Sequence, residues 1–146
     1  MRNDTFIRKA NIKDILKINE IEKNIFKEEA WSLNMIADEL SIEEGKSTWV
    51  INSKGIIRGY YMIRSYNQEC HLMNIATEKP YQRSGLANAM MQHLLKIYAN
   101  NSAIYLEVKK GNFPAINLYL KIGFRENFER KNYFRDGSTA LVMCLN

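Results

Sequence analysis

Only two cysteines and two histidines occur in the 146 residues. Cys70 and Cys144 lie far apart, with no second pair and no histidine at ligand spacing, which argues against a disulfide framework and a zinc site. Two reduced, buried thiols and no metal are expected. No apolar stretch approaches the ~20 residues that a membrane helix needs. No basic segment followed by an apolar run opens the chain, so neither insertion nor export is expected and the cytoplasm is the expected location. There is also no internal repeat, low-complexity tract or Gly/Ser/Pro-rich linker, so one domain spanning 1–146 is expected.

What the chain has is the composition of a soluble domain, 46% hydrophobic and 25% charged, and enough length to bury a proper core. The net charge of +5 points to an anionic partner. The basic residues are scattered instead of forming one block, so a phosphorylated cofactor would satisfy the charge as well as nucleic acid.

Along the chain, residues 5–8 read as a first strand, and Asn11 as the cap of a helix with Asp14 in its first turn. Ile15, Ile18, Ile21, Glu22 and Ile25 then recur at three- and four-residue steps and mark a core-facing stripe. Ser32 suits the cap of a second helix ending near Leu40, with Trp31 packing on Ile36 as a hydrophobic staple. Residues 48–51, 56–63 and 71–77 read as three antiparallel strands. A helix from Leu86 to about Ala99 and a buried strand over 103–108 follow. The next helix starts after Asn112, with Pro114 at its first position and Gly123 at its end. A last hairpin runs over 124–133, turns at 135–137 and returns over 140–145. The order β-α-α-β-β-β-α-β-α-β-β predicts a mixed sheet with helices on both faces, and a strand–helix–strand crossover between His71 and Val108.

Gly85 falls where the third of these strands turns into a helix. Amides at a helix N-terminus are unpaired within the helix and point outward with the positive end of its dipole, which suits phosphate. Taken alone, such a turn could serve any nucleotide.

The segments Met73-Asn-Ile-Ala-Thr77, Tyr81-Gln-Arg-Ser-Gly-Leu-Ala87, Leu106-Glu-Val108, Asn112, Ala115-Ile-Asn-Leu-Tyr119, Gly123-Phe124 and Arg130-Lys-Asn-Tyr133 occur in that order. Together they make the chain resemble the GNAT superfamily of acyl-CoA-dependent N-acetyltransferases, most closely its ribosomal-protein-alanine N-acetyltransferase (RimI-like) branch. The resemblance covers essentially the whole chain. Two departures stand out: Ala87 replaces a glycine frequent in the branch, and Ala30-Trp-Ser32 replaces Pro-Trp-Ser, which bears on the acceptor groove.

The resemblance implies a GNAT fold and acetyl-CoA as donor. Its pyrophosphate would sit on the amides of Arg83, Ser84, Gly85, Leu86, Ala87 and Asn88, and its pantetheine arm beside Ile75, Ala76 and Thr77. Asn112 would bond the cofactor from its loop, although an Asn before a helix is as often a cap. Glu107 stands where the branch carries its general base, and Tyr119 matches the family's general acid. Trp31 and Tyr133 would line the acceptor cleft. His71 and His93 are read as structural.

The expected function is direct transfer of an acetyl group to an amine, foremost the α-amino group of a protein N-terminus such as that of a ribosomal protein. The partners would be acetyl-CoA and a protein N-terminus or other primary amine, with no nucleic acid and no membrane, the protein being a monomer or weak dimer. Rival readings are acetylation of a small amine, such as a polyamine or antibiotic, and a non-catalytic CoA-binding or basic RNA-associated module.

Overall fold

The computed structural model describes residues 4–146. Its strands are β1 (Thr5–Lys9), β2 (Lys46–Ser53), β3 (Ile56–Tyr66), β4 (Glu69–Thr77), β5 (Ala103–Lys109), β6 (Arg125–Arg130) and β7 (Ala140–Leu145). The helices are α1 (Ile15–Phe26), α2 (Leu33–Glu39), α3 (Leu86–Tyr98) and α4 (Phe113–Ile122). The element order is the one expected. The strands form one seven-stranded sheet in the order β1-β2-β3-β4-β5-β7-β6. Only β4 and β5 run parallel, as the crossover through α3 requires.

Two apolar clusters sit on opposite faces of this sheet. Ile18, Ile21 and Ile36 from α1 and α2 pack on Val50, Tyr60, Met62 and Ala76. Met90, Met91, Leu94, Ile116 and Tyr119 from α3 and α4 pack on Tyr61, Leu72, Ile104, Leu106 and Met143. Among the described residues, no helix is long and apolar enough to cross a membrane.

Local chemistry explains the helix starts. Asn11 Oδ1 accepts from the Lys13 amide at 2.9 Å, while the Asn11 amide donates to Asp14 Oδ2 at 2.9 Å. Arg8 holds the same carboxylate through two 2.9 Å bonds, and these keep the Asp14 carboxyl below the usual carboxylate range. Ser32 Oγ accepts from the Met35 amide at 3.2 Å, and Trp31 packs against the cluster that holds Ile36.

Three expectations need correction. Pro114 takes the second helical position, because Asn112 is the cap and Phe113 opens α4. The last hairpin leaves β6 at Arg130, and residues 131–139 form a loop whose Asn132 has a positive φ. Cys144 is half-buried, as is Leu145 on the other face, since both lie at the end of β7; Cys70 is fully buried, and burial pushes its thiol up to about 12. The alternation of β4 is broken at Met73, since Met62 pairs with Asn74 but Ile63 pairs with Leu72. Met73 is the extra residue of a β-bulge, and Asn74 consequently faces α1.

Gly59 lies opposite Thr77 at the end of the β3–β4 pair. A Cβ there would stand 2.7 Å from the Ala76 carbonyl oxygen and 3.1 Å from Met90 Cε. Backbone cannot yield as a side chain tip can, so Gly59→Ala is expected to lower stability by about 1–3 kcal/mol, read as a shifted urea midpoint.

Candidate active site

The parallel pairing of β4 and β5 begins at Glu69 with Ala103 and stops at Leu72 with Leu106. Beyond those residues the sheet opens. The near bank is residues 73–77 of β4, still held by β3 through Tyr61 with Ile75, Tyr60 with Ala76 and Gly59 with Thr77. The far bank is residues 107–109 of β5, held by β7. Strand edges bordering such a gap offer backbone donors and acceptors to an extended ligand laid between them.

At the end of the near bank, Pro80 lies in a short 3-10 turn, and the chain then enters α3 through Gly85 with φ +88°. Gln82 Nε2 donates to the Thr77 carbonyl at 3.2 Å, tying this loop back to the strand. Ser84 Oγ donates to the Tyr81 carbonyl. The first-turn amides of Leu86, Ala87 and Asn88 have no intrahelical acceptor. No side chain caps this helix. An anion fits here, since three outward amides and the helix dipole converge on one spot. A Cβ at Gly85 meets nothing within 4 Å, so only its positive φ demands glycine. Gly85→Ala is therefore expected to cost about 1–2 kcal/mol of stability, measured by denaturant titration.

Glu107 is the first β5 residue past the paired segment, on the face shared with Tyr105 and Lys109. Its side chain is 26% exposed, and the nearest cation is Arg130 Nε at 3.9 Å. That separation is an ion contact and too long for a hydrogen bond. Tyr119, on α4, is only 7% exposed and packs edge-on to Phe124 at 5.9 Å. Burial pushes its phenol up to about 12. Tyr119 belongs to the cluster on the α3/α4 side, so Glu107 and Tyr119 lie on opposite faces of the sheet. Asn112 is exposed and its Oδ1 accepts from the Ala115 amide at 3.4 Å, a helix cap that leaves its amide NH2 as donor.

Trp31 and Tyr133 come from two loops that meet over the end of β5. Lys109 Nζ reaches Glu29 Oε2 at 2.5 Å and Asp136 Oδ2 at 2.9 Å. Arg135 Nη1 donates to the Glu28 carbonyl at 3.2 Å. Tyr133 is 49% exposed and stacks edge-on to Phe134 at 5.0 Å. Burial and the nearby Glu107 charge both raise its phenol, against an opposing effect of Arg130. Sequence reasoning did not single out Lys109 or Arg130 for this region. Their only signal was position, next to Glu107 and at the head of the Arg130–Tyr133 segment.

His71 stacks on Tyr105 at 5.3 Å, and His93 Nδ1 shares a hydrogen bond of 2.7 Å with the Tyr61 hydroxyl. Among the described residues, no group of three or more His, Cys, Asp or Glu side chains could hold a metal ion.

A sheet opened between two parallel strands, with an anion-binding helix N-terminus at one bank and a carboxylate at the other, is the frame of a transferase for an extended phosphorylated donor. The chain belongs to the Acetyltransferase (GNAT) family, whose pattern matches residues 12–124. It is 31% identical over 153 residues to an N-alpha-acetyltransferase of Sulfolobus acidocaldarius, covering 94% of this chain and 90% of that protein. It is 29% identical over 146 residues to a putative ribosomal protein bS18-alanine N-acetyltransferase of Bacillus subtilis, covering 98% and 96%. The crystal structure of the ribosomal-protein-S18-alanine N-acetyltransferase from Escherichia coli matches with a TM-score of 0.88 at 28% identity, over 97% of this chain and 92% of that one. The protein is an acyltransferase, and acetyl-CoA is its donor.

Proposed function

We propose that this enzyme acetylates the N-terminal α-amino group of a protein, by direct transfer within a ternary complex. The observation that carries the reading is the parting of β4 from β5 immediately before Glu107, with the uncapped start of α3 following the near bank. The names of two relatives, an N-alpha-acetyltransferase and a putative ribosomal protein bS18-alanine N-acetyltransferase, support the same acceptor class.

The donor supplies an activated acyl thioester; the chain's own residues do the rest. The amides of Arg83, Ser84, Gly85, Leu86, Ala87 and Asn88 would hold its phosphates, with Asn112 donating from the far side. Ile75, Ala76 and Thr77 would hold the extended arm along the open edge of β4. A backbone amide of that edge would polarise the carbonyl. Glu107, acting directly or through a water, would take the proton from the attacking amine. Tyr119 would donate a hydrogen bond to the departing sulfur from the other face. Trp31 and Tyr133 would wall the acceptor.

The enzyme is proposed to work in the cytoplasm as one domain over 1–146, as a monomer or weak dimer. Nucleic acid is not proposed as a partner, because Arg8, Lys17, Arg58, Arg64 and Lys109 are already paired with carboxylates.

The test is incubation with acetyl-CoA and three acceptor sets, read by mass: free-N-terminal peptides, N-blocked lysine peptides and a small-amine panel. A mass gain of one acetyl group confined to the free N-terminus supports the reading. Preference for polyamines or antibiotics replaces it with the small-amine function, and stabilisation by acetyl-CoA without transfer to any acceptor replaces it with a binding module.

A further inference from the structure

The isoleucine stripe of α1 carries one carboxylate that the proposed chemistry does not use. Glu22 is 1% exposed and accepts three hydrogen bonds. Its Oε1 accepts from the Tyr60 hydroxyl at 2.5 Å and from Asn74 Nδ2 at 2.7 Å, and its Oε2 accepts from the Trp31 amide at 2.9 Å. The donors belong to β3, to β4 and to the loop that joins α1 to α2.

A buried carboxylate is costly even when satisfied, and an apolar side chain at this position would cover the same core without that cost. Stability is therefore a poor explanation for three convergent donors. Their placement suggests a better one. Asn74 reaches Glu22 only because the bulge at Met73 turns it toward α1, and the bulge adjoins the last paired residue of β4, where the sheet opens. Trp31 stands at the end of the loop, where its side chain packs on the apolar cluster, while the loop's other polar contacts, Lys109 with Glu29 and Arg135 with Glu28, are at least partly open to solvent. Salt screens surface ion pairs and they hold geometry weakly. Glu22 is the buried polar anchor of that loop.

We propose that Glu22 is a positioning residue, which sets the acceptor loop against the donor-holding bank of β4 by bonding the Trp31 amide and Asn74 at once. The proposal rests on the reading of residues 26–32 as a wall of the acceptor cleft. Its consequence is that Glu22 controls how tightly the acceptor is held and leaves donor binding and chemistry nearly untouched.

Glu22→Gln isolates the point. The amide is close to isosteric, and its oxygen still accepts from Tyr60 and Asn74, but its NH2 meets the Trp31 N–H as donor against donor. Only the loop bond is lost. A hydrogen bond to a charged group supports an effect of about tenfold or more. The expected result is a rise of about tenfold in KM for a free-N-terminal peptide, with kcat and acetyl-CoA affinity within about twofold of the native enzyme. The melting temperature should change little, because the lost hydrogen bond is offset by removal of a buried charge. Amide exchange over 27–31 should quicken about tenfold. An unchanged peptide KM with native exchange, or a joint fall of kcat and melting temperature at native KM, overturns the proposal.

If the variant does not fold, the native protein decides the matter. The Trp31 amide should be strongly protected, and exchange at the rate of a free amide overturns the proposal. Amide exchange needs no acceptor, so a native enzyme that acetylates no peptide rejects the N-terminal reading while the role of Glu22 is still decided.

Discussion

Replacing Glu107 with glutamine is expected to cut turnover on a free-N-terminal peptide by roughly 10²–10⁴-fold while acetyl-CoA binding stays near native. The substitution preserves shape and removes the ability to accept a proton. Arg130 lies at 3.9 Å, so neither carboxylate oxygen of Glu107 is held by it in a hydrogen bond, and both can serve a water or an amine. The chemistry also suits the acceptor. An α-amino group titrates near ~7.7–8 and a lysine near ~10.4, so the proton that Glu107 must remove is far less tightly held in the first. The deficit should accordingly shrink above pH ~9, where the α-amine is already neutral. Steady-state rates across pH 6–10, with donor affinity by calorimetry, make the measurement. Native turnover in the variant removes Glu107 from the mechanism.

Tyr119→Phe should lower turnover by about 10²-fold, the effect of losing one donor to a developing anion, with little change in stability. The phenylalanine ring keeps the edge-on packing of Tyr119 on Phe124 and its place in the apolar cluster, so the fold should hold. Burial pushes its phenol up to about 12, above the ~8.5 of an ordinary thiol. Full proton transfer to the departing sulfur would therefore be uphill, and the role proposed for Tyr119 is that of a neutral hydrogen-bond donor that stays protonated through the working range. The sign is definite: a folded-state value above the unfolded ~10 means its contribution to stability is complete below pH ~10 and fades as pH climbs toward 12. The native enzyme should thus show no falling alkaline limb below pH ~10, and the phenylalanine variant should lose part of the native protein's alkaline sensitivity in a pH-dependent melt. Full activity in that variant sinks the assignment.

Much of the fold was legible because local and periodic signals agreed. The three- and four-step isoleucines of α1, the Asn11 and Ser32 caps, and the apolar alternation of β5 each depend on near neighbours. The errors came where one residue is shared with a distant partner. Met73 looks like any strand residue, and only its pairing with β3 exposes the bulge. The end of β6 at Arg130 reflects the contacts of Lys109 with Asp136 and of Arg135 with Glu28, which draw the following loop across β5. Glu22 was visible as a lone acid on an apolar stripe, but its donors lie 9, 38 and 52 residues away.

By itself the sequence determined the order of the elements, the helix caps, the glycine turn into α3 and, through its resemblance to one superfamily, the residue types at each proposed step. These follow from interactions within a few positions along the chain. Where β4 leaves β5, that Glu107 and Tyr119 lie on opposite faces of the sheet, and that a buried carboxylate holds the Trp31 amide were decided only in three dimensions. Strand register and the packing of α1 and α4 on opposite faces set them, and these depend on pairings that no local stretch encodes.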